Sequence, residues 1–259
     1  MAFEFDGEKY ARASRPQREW GGDLIGGLSL RGDEAILDLG CGDGALTERL
    51  AALVPKGRVV GIDASEGMIR AAEKRAGENL SFVRMDIRDL GFREQFDLIF
   101  SNAALHWVKD HERLLRRARE ALKLGGRLAW DFGCAGNCAN FIATVREQMA
   151  RPAFQPYFVD FEWPWTMPAP ADYARLAAAC GFPDAEIAEL NRDRHFASAG
   201  EMIQWIDQPC IVPFLAHLPE SARPAFRQAV IDQMLERTRE PGGTYFETFR
   251  RIRLAAVRQ

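Results

Sequence analysis

Nowhere in its 259 residues does this chain carry the run of about 18 apolar residues that a membrane-crossing helix needs, so no membrane span is expected. Its opening, Met1-Ala-Phe-Glu-Phe-Asp-Gly-Glu-Lys-Tyr10, lacks a basic region followed by an apolar core, and no signal peptide is expected. Cysteine is sparse: five residues, an odd count, widely spaced. That pattern argues against a disulfide framework and for reduced structural thiols in a cytoplasmic protein. Cys134 and Cys138 have the spacing of half a metal site. No second pair and no nearby histidine completes a tetrahedral set, so no metal is expected. Charge of one sign is lacking as well. Lys and Arg number 34 against 37 Asp and Glu, a net −3, too little to favour nucleic acid or an anionic membrane through a global field. The arginines between Arg113 and Arg119 are spaced as a solvated helix face. No repeat and no low-complexity stretch appears. A hydrophobic content of 47% suits one globular α/β domain, alone or with a modest cap.

What is present is concentrated in Glu34-Ala-Ile-Leu-Asp-Leu-Gly-Cys-Gly-Asp-Gly-Ala45. A mostly apolar strand leads into an acid and then into Gly40, Gly42 and Gly44. Leu46, Leu50 and Leu53 follow at helical spacing, which reads as strand, tight turn and helix. Glycines suit a turn that needs positive φ or close approach of a ligand to the backbone. The free N–H groups at the helix start favour an anionic group, here a carboxylate. Gly40, Gly42 and Ala45 also satisfy the relaxed dinucleotide fingerprint, with Asp63 placed for a ribose. Asp38, two residues before the first glycine, together with Gly44, shifts the reading. A carboxylate there suits a zwitterionic, cationic ligand better than a pyrophosphate.

Along the chain, a helix is expected from about Pro16 to Leu28, weakened by its Gly-Gly pairs. Further strands are expected at Arg58–Asp63, Leu80–Met85, Phe96–Ser101 and Arg127–Phe132. Helices are expected at Ser65–Ala76 and Asp110–Lys123, the latter ended by Gly125-Gly126. Residues 133–170 are rich in Gly, Pro and aromatics and read as an insertion, with a short helix at about Asn140–Ala150. Helices then fall at Pro170–Cys180, from the capping box Ser198-Ala-Gly-Glu201 to about Asp207, and at Glu220–Arg239. Ala185–Asn191 is expected as strand six, and Tyr245–Arg258 as one closing strand.

Asp38-Leu-Gly-Cys-Gly-Asp-Gly44, Asp63, Asp86-Ile87, Ser101-Asn-Ala103 and Leu122-Lys-Leu-Gly-Gly126, in that order, resemble the class I S-adenosylmethionine-dependent methyltransferases. The broad type includes trans-aconitate methyltransferase. The resemblance covers most of the chain and implies a Rossmann-like, doubly wound α/β fold. Its seven-stranded sheet has an antiparallel last strand, with a helical, aromatic cap. Residues 1–259 would form a single domain: a lid at 1–31, a cofactor core at 32–132, cap insertions at 133–170 and 196–243, and 171–195 with 244–259 closing the sheet.

The same resemblance implies S-adenosyl-L-methionine as cofactor, with S-adenosyl-L-homocysteine as product, held by Asp38, Gly40, Cys41, Gly42, Gly44, Asp63, Ala64, Met68, Asp86, Ile87 and Asn102. Asp63 would take the ribose hydroxyls, and Asp86 with Ile87 the adenine. Phe196–Ile206, Pro213-Phe-Leu and Leu218-Pro-Glu look like the C-terminal part of trans-aconitate methyltransferases. Leu105-His-Trp-Val108 and the Tyr10, Gln17 pair are similar to juvenile hormone acid methyltransferases, in which the matching Gln and Trp hold a carboxylate. Tyr10, Gln17, His106 and Trp107 are therefore the candidate acceptor-binding residues, and His106 is the candidate base where the nucleophile is a hydroxyl or phenol.

A carboxylate acceptor needs no base, since it is ionised near neutral pH, but it needs orientation and exclusion of water. The expected reaction is methyl transfer to a carboxylate oxygen of a small molecule. An N- or phenolic O-methyltransferase and a non-catalytic S-adenosylmethionine-binding protein remain alternatives. A nucleic-acid substrate is disfavoured by Ser101-Asn-Ala-Ala104, which stands where an Asn/Asp-Pro-Pro-Tyr motif would be. The aromatic insertion suggests an acceptor with an apolar body, or simply a lid core. The chain is expected to be a monomer or homodimer.

Overall fold

The computed structural model describes residues 15–259; Tyr10 lies outside them. The strands are β1 (Ala35–Leu39), β2 (Arg58–Asp63), β3 (Leu80–Arg84), β4 (Phe96–Asn102), β5 (Leu122–Gly133), β6 (Glu186–Asn191), β7 (Arg194–Phe196), β8 (Tyr245–Glu247) and β9 (Arg250–Val257). Seven form one sheet in the order β3-β2-β1-β4-β5-β9-β6, while β7 and β8 form a separate ribbon. β1 pairs in parallel with β2 and β4, β2 with β3, and β4 with β5. β9 runs antiparallel to β5, with Leu254 opposite Trp130. The carboxyl ends of β1 to β5 therefore share one edge. The winding order reverses between β1 and β4, where such sheets open a crevice.

The helices are α1 (Arg15–Gly26), α2 (Ala45–Leu53), α3 (Glu66–Ala72), α4 (His111–Ala121), α5 (Ala139–Met149), α6 (Pro170–Ala179), α7 (Ala199–Trp205), α8 (Val212–His217) and α9 (Arg223–Thr238). Two compact units result. The first holds residues up to 135, with 165–190 and 251–259; the second holds 136–164 and 191–250.

In the first unit the strand alternation feeds two cores. Ile36, Leu98 and Phe100 meet Leu24 and Ile25 of α1 and Leu50 and Ala51 of α2. Leu37, Ile99 and Trp130 meet Leu114, Leu115 and Ala118 of α4 and Tyr173 and Ala177 of α6. Neighbouring residues of a strand point to opposite faces, so a near-continuous apolar run such as β4 serves both. Of the glycines that weaken α1 as a helix, Gly21 has a packing reason. A Cβ on Gly21 would stand 2.2 Å from Leu46 Cδ1 and 3.0 Å from Asn102 Nδ2. Helix α1 lies directly on α2 and the end of β4, at a propensity cost of about 1 kcal/mol per glycine.

Three sequence expectations need correction. Gly125-Gly126 does not end α4. The helix stops at Ala121, β5 starts at Leu122, and the ladder register slips between Phe96 and Leu98, so the pair forms an irregularity inside the strand with Gly125 at φ 74°. The closing strand is two strands: Tyr245–Glu247 pairs with β7, and only Arg250–Val257 joins the large sheet. The helix expected to reach Ala76 ends at Ala72 and continues as one tight turn over Glu73–Arg75.

The aromatic insertion is core in the second unit. Phe154 and Phe158 are buried and lie 5.0 and 5.3 Å from Phe226 of α9, and Phe161 lies 5.1 Å from Phe214 of α8, centroid to centroid. Such pairs add about 0.5–1.5 kcal/mol beyond burial. For Phe154, Phe158 and Phe161 the packing is that of a core. Glu247 pins α5 in the same unit. Its fully buried carboxylate accepts from the N–H groups of Asn140 at 3.1 Å and Phe141 at 2.9 Å, in the first turn, and from Thr248 N at 2.8 Å. Burial pushes its pKa up, against the pull of these donors. Glu247→Ala strands several buried donors, and a urea melt is expected to show a loss on the order of 3 kcal/mol. An unchanged midpoint would mean that α5 is held by packing alone.

Candidate active site

Asp38 is the next-to-last residue of β1, and its side chain is buried at 2% exposure. Its Oδ2 accepts from Thr47 Oγ1 of α2 at 2.7 Å. Burial, reinforced by the charge of Asp63, raises its pKa to about 7, while the Thr47 hydroxyl pulls the other way. The turn that follows has Gly40, Gly42 and Gly44 at φ 72°, 56° and 79°, a region that favours glycine. It is anchored on β2: Gly40 N and Cys41 N both donate to Ile62 O, at 2.8 and 2.9 Å. A Cβ on Gly40 would stand 2.2 Å from Ala104 Cβ, and one on Gly44 2.7 Å from Phe82. The close approach that excludes side chains there is made by protein atoms.

Asp63 ends β2 and braces this turn. One carboxylate oxygen accepts from Gly42 N at 3.0 Å, the other from Ser65 N at 2.9 Å. Ala64 is half-buried and its carbonyl accepts from Arg84 at 3.4 Å. Met68 is buried on α3, its N–H donating to the cap Ser65 Oγ at 3.3 Å. Asp86 follows β3, next to β2 in the sheet. It is gripped by Arg88, with Nε to Oδ1 at 3.0 Å and Nη2 to Oδ2 at 2.7 Å, and the guanidinium holds its carboxyl below the usual range. Ile87 packs against the core beside the turn, and its Cδ1 would lie 3.8 Å from a Cβ on Gly40.

A small cavity at the turn brings together Gln17, Arg18, Asp38, Gly40, Cys41 and Asn102 among its walls. Asn102 Nδ2 donates to Gln17 O at 2.8 Å, fastening α1 to the end of β4. Gln17 Oε1 and Asn102 Oδ1 are buried acceptors with no donor. Two orphaned oxygens beside a carboxylate that burial has driven toward neutrality could accept from a cation, and the buried Arg18 Nε of the same cavity, also without a partner, could donate to a carboxylate. A zwitterionic amino-acid group fits that mixed set of acceptors and donor better than a pyrophosphate, which offers acceptors only. The Cys41 thiol, buried between Asp38 and Asp63, is pushed up and is no nucleophile.

His106 and Trp107 lie just beyond, in a single tight turn after β4 (Leu105–Trp107), outside the walls of that cavity. The His106 carbonyl accepts from Thr166 N at 2.8 Å, and its Nδ1 accepts from Gly133 N at 3.5 Å, which leaves the proton on Nε2. Burial, helped by the charges of Arg251 and His111, lowers its pKa to about 3. Trp107 is half-buried, its ring 5.6 Å from Trp165 in an edge-on arrangement. Arg18 and Asp43 were not anticipated from the sequence. Arg18 Nη2 donates to Asp43 Oδ2 at 2.6 Å, closing α1 against the glycine turn. The acid between the last two glycines was the available signal.

The profile of the methyltransferase-domain family matches residues 36–126, from β1 into β5. The trans-aconitate 2-methyltransferase of Rhodococcus jostii (strain RHA1) is 31% identical over 238 residues, 90% of this chain and 91% of that protein. That of Deinococcus radiodurans is 30% identical over 226 residues, 86% of each. Among solved structures, the YcgJ protein of Bacillus subtilis superposes with a TM-score of 0.63 at 17% identity, over 93% of this chain and 99% of that one, a likeness of fold. With relatives that close along nearly its whole length, and with the sheet order and glycine turn described above, the chain belongs to the class I S-adenosylmethionine-dependent methyltransferases, among those that resemble trans-aconitate 2-methyltransferase.

Proposed function

We propose that the chain methylates a carboxylate oxygen of a small organic acid. The observation that carries this reading is His106. It is the candidate base at the end of β4, yet its Nδ1 is already the acceptor of Gly133 N at 3.5 Å, and desolvation with the charge of Arg251 pushes the imidazole toward its neutral form. Such an imidazole is too weak a base to deprotonate a phenol or an alcohol near neutral pH. A carboxylate is ionised there without help. The relatives named for trans-aconitate point to the same acceptor class.

S-adenosylmethionine, when bound, supplies a methyl group on sulfonium, whose bonding pair departs on sulfur as the acceptor oxygen takes the methyl. In this reading the turn from Gly40 to Gly44 holds the amino-acid part, with Cys41 N–H already spent on Ile62. Asp38, Gln17 Oε1 and Asn102 Oδ1 accept from its ammonium. Asp63, with Ala64 and Met68 beside it, takes the ribose, and Asp86 with Ile87 flanks the adenine. The Gln17 amide nitrogen, Trp107 Nε1 and His106 Nε2–H donate to the acceptor carboxylate and fix its attack direction. A small acid is the partner this site fits, rather than a nucleic acid.

The test incubates the protein with S-adenosylmethionine and a panel of carboxylic acids that includes trans-aconitate, alongside phenols and amines. Mass spectrometry reads methyl esters and S-adenosylhomocysteine. Esters are expected, with turnover at saturating S-adenosylmethionine flat between about pH 6 and 9 in both the native protein and His106→Asn. Methylation confined to amines or phenols, or an alkaline-rising limb that His106→Asn abolishes, would overturn the carboxylate reading.

A further inference from the structure

The second unit has a groove of its own. Its volume is about 540 Å³, inside the span of roughly 300–1,000 Å³ that small-molecule sites occupy. Arg146 and Met149 line it from the end of α5, Gln155 and Phe158 from a single tight turn, and Val159 and Trp163 from the segment just beyond. All lie in one stretch of chain, 146–163, and the lining is apolar apart from Arg146 and Gln155. The aromatic walls are fixed from behind. Phe158 is buried with its ring 5.3 Å from Phe226, and the Trp163 ring stands 5.5 Å from Phe214. Core packing therefore forms the groove before any ligand arrives. Val159 is 77% exposed. One exposed valine is ordinary by itself, but this one borders an indole, a thioether and a phenyl ring in a concave surface.

Arg146 sets the charge of the groove. Its guanidinium carbon lies over the Trp163 ring, 4.6 Å from the centroid. A guanidinium placed so spends its face on the ring and keeps its N–H edges for an acceptor. Among the described residues no carboxylate pairs with it. The acid next in sequence, Glu147, is taken by Arg237 at 2.7 Å, and Arg151 turns to Gln148 at 3.1 Å. The carboxyl end of α5 offers Arg146 a partial charge of about half a unit, not a counter-ion. The Gln155 side chain is exposed, and its amide has no partner among the described residues. Two sets of unspent donors thus border an apolar trough.

We propose that this groove binds an amphipathic monocarboxylate. The carboxylate accepts from Arg146 and from the Gln155 amide, and the acyl or aryl body lies along Trp163, Met149 and Phe158. A planar guanidinium held on an indole matches a carboxylate edge to edge. A single guanidinium also matches a single negative charge. A dianion such as a phosphate monoester would keep charge unmatched, with Asp160 and Glu162 flanking the groove residues in the chain. The apolar lining selects against a small, fully hydrated acid, because burying its body there gains little area. The proposal is independent of the acceptor reading. The groove is made wholly by the second unit, whereas Gln17, His106 and Trp107 belong to the first. The ligand is held in this groove, and no bond is made or broken there.

The experiment is calorimetry on the full chain without S-adenosylmethionine, using octanoate and, as its uncharged counterpart, octanamide. The native protein is expected to bind octanoate about 10-fold more tightly than octanamide. Arg146→Gln is expected to weaken octanoate about 10-fold and to leave octanamide unmoved. Ala150→Trp, which fills the groove from the end of α5, is expected to remove the site for both. Arg146 and Ala150 are exposed, so both variants are expected to melt with the native protein. Should Ala150→Trp not fold, Arg146→Gln decides alone. No octanoate binding, equal native affinity for the two ligands, or an octanoate affinity that Arg146→Gln does not change overturns the proposal. A last arm offers vesicles of phosphatidylglycerol. Co-sedimentation with them, without binding of monomeric octanoate, assigns the groove to a lipid surface and overturns it too. Ester formation is read separately, so failure here leaves the carboxylate reading standing, and failure of that reading leaves this site to be decided by the titrations alone.

Discussion

Asp38→Asn is expected to bind S-adenosylmethionine about 100-fold more weakly than the native protein, while the free variant melts at a higher temperature. Both effects come from one buried carboxylate. Asparagine keeps an oxygen for Thr47 Oγ1, which now bonds Asp38 at 2.7 Å, so the local frame survives. What is lost is the charge opposite the cationic donor, a contact of the strong, charge-assisted kind. The stability gain follows from linkage. The folded-state pKa of Asp38 is about 7, against an ordinary value of 3.8. Between those values the folded protein holds a proton that the unfolded chain has released. Stability therefore falls as pH rises through that window, by about 1.4 kcal/mol per pH unit, and stays reduced above it. Asparagine never ionises and escapes the penalty. The same linkage makes native affinity for S-adenosylmethionine weaken as pH drops below about 7, because the binding-competent form is the carboxylate. Calorimetry at pH 6, 7 and 8 and melts of the free proteins at pH 8 test both limbs. Unaltered affinity in Asp38→Asn would remove Asp38 from the donor site, and equal melting temperatures would mean that its burial is not the strain argued here.

The parts of this site that adjacent residues build were readable from the chain, and the parts built by distant residues were not. Asp38 and the three glycines lie within seven positions, so strand, turn and helix could be derived together, and the acid that ends β2 and the one just past β3 followed from strand periodicity. The reason for the glycines changed. At Gly40 and Gly44 the intruding atoms belong to Ala104 and Phe82, residues far away in sequence. The glycines of α1 read as propensity defects because nothing local says that Leu46 will stand 2.2 Å from a Cβ on Gly21. Gly125-Gly126 looked like a helix stop because its role depends on a register slip against Phe96. The Asp131–Arg251 pair spans 120 positions and leaves no local trace. Alternation in β9 showed that Arg251 and Arg253 share a face, but not that the face is covered by Trp20. Even the aromatic cap, conspicuous in composition, was ambiguous between pocket and core until its rings were seen to pack on Phe214 and Phe226.

Gly40→Ala is expected to cost on the order of 3 kcal/mol of stability and at least 10-fold in affinity for S-adenosylmethionine, and Ala104→Gly in the same chain is expected to return most of both. Two separable penalties meet at this position. The backbone at φ 72° is left-handed, which a Cβ makes worse by about 1–2 kcal/mol whatever surrounds it. The added carbon would also lie 2.2 Å from Ala104 Cβ, and a β-carbon cannot swing aside as the tip of a long side chain can. Relief has to come from the backbone, and both ends are tied. Gly40 N is bonded to Ile62 O at 2.8 Å, while Ala104 sits between Ala103, held by the Asp131 carbonyl at 2.7 Å, and the turn of His106. Displacing that loop moves Asn102 and His106 together, so donor affinity and acceptor turnover should fall as one. Removing the Ala104 methyl abolishes the clash and leaves the φ penalty. A double-mutant cycle is then expected to show about 1–2 kcal/mol of favourable coupling, with a residual loss of about 1 kcal/mol in the double variant. Additive losses would mean that the β1 turn and the β4 loop do not press on each other, and the rigid link argued here between the donor cavity and the acceptor residues would fail at its first contact.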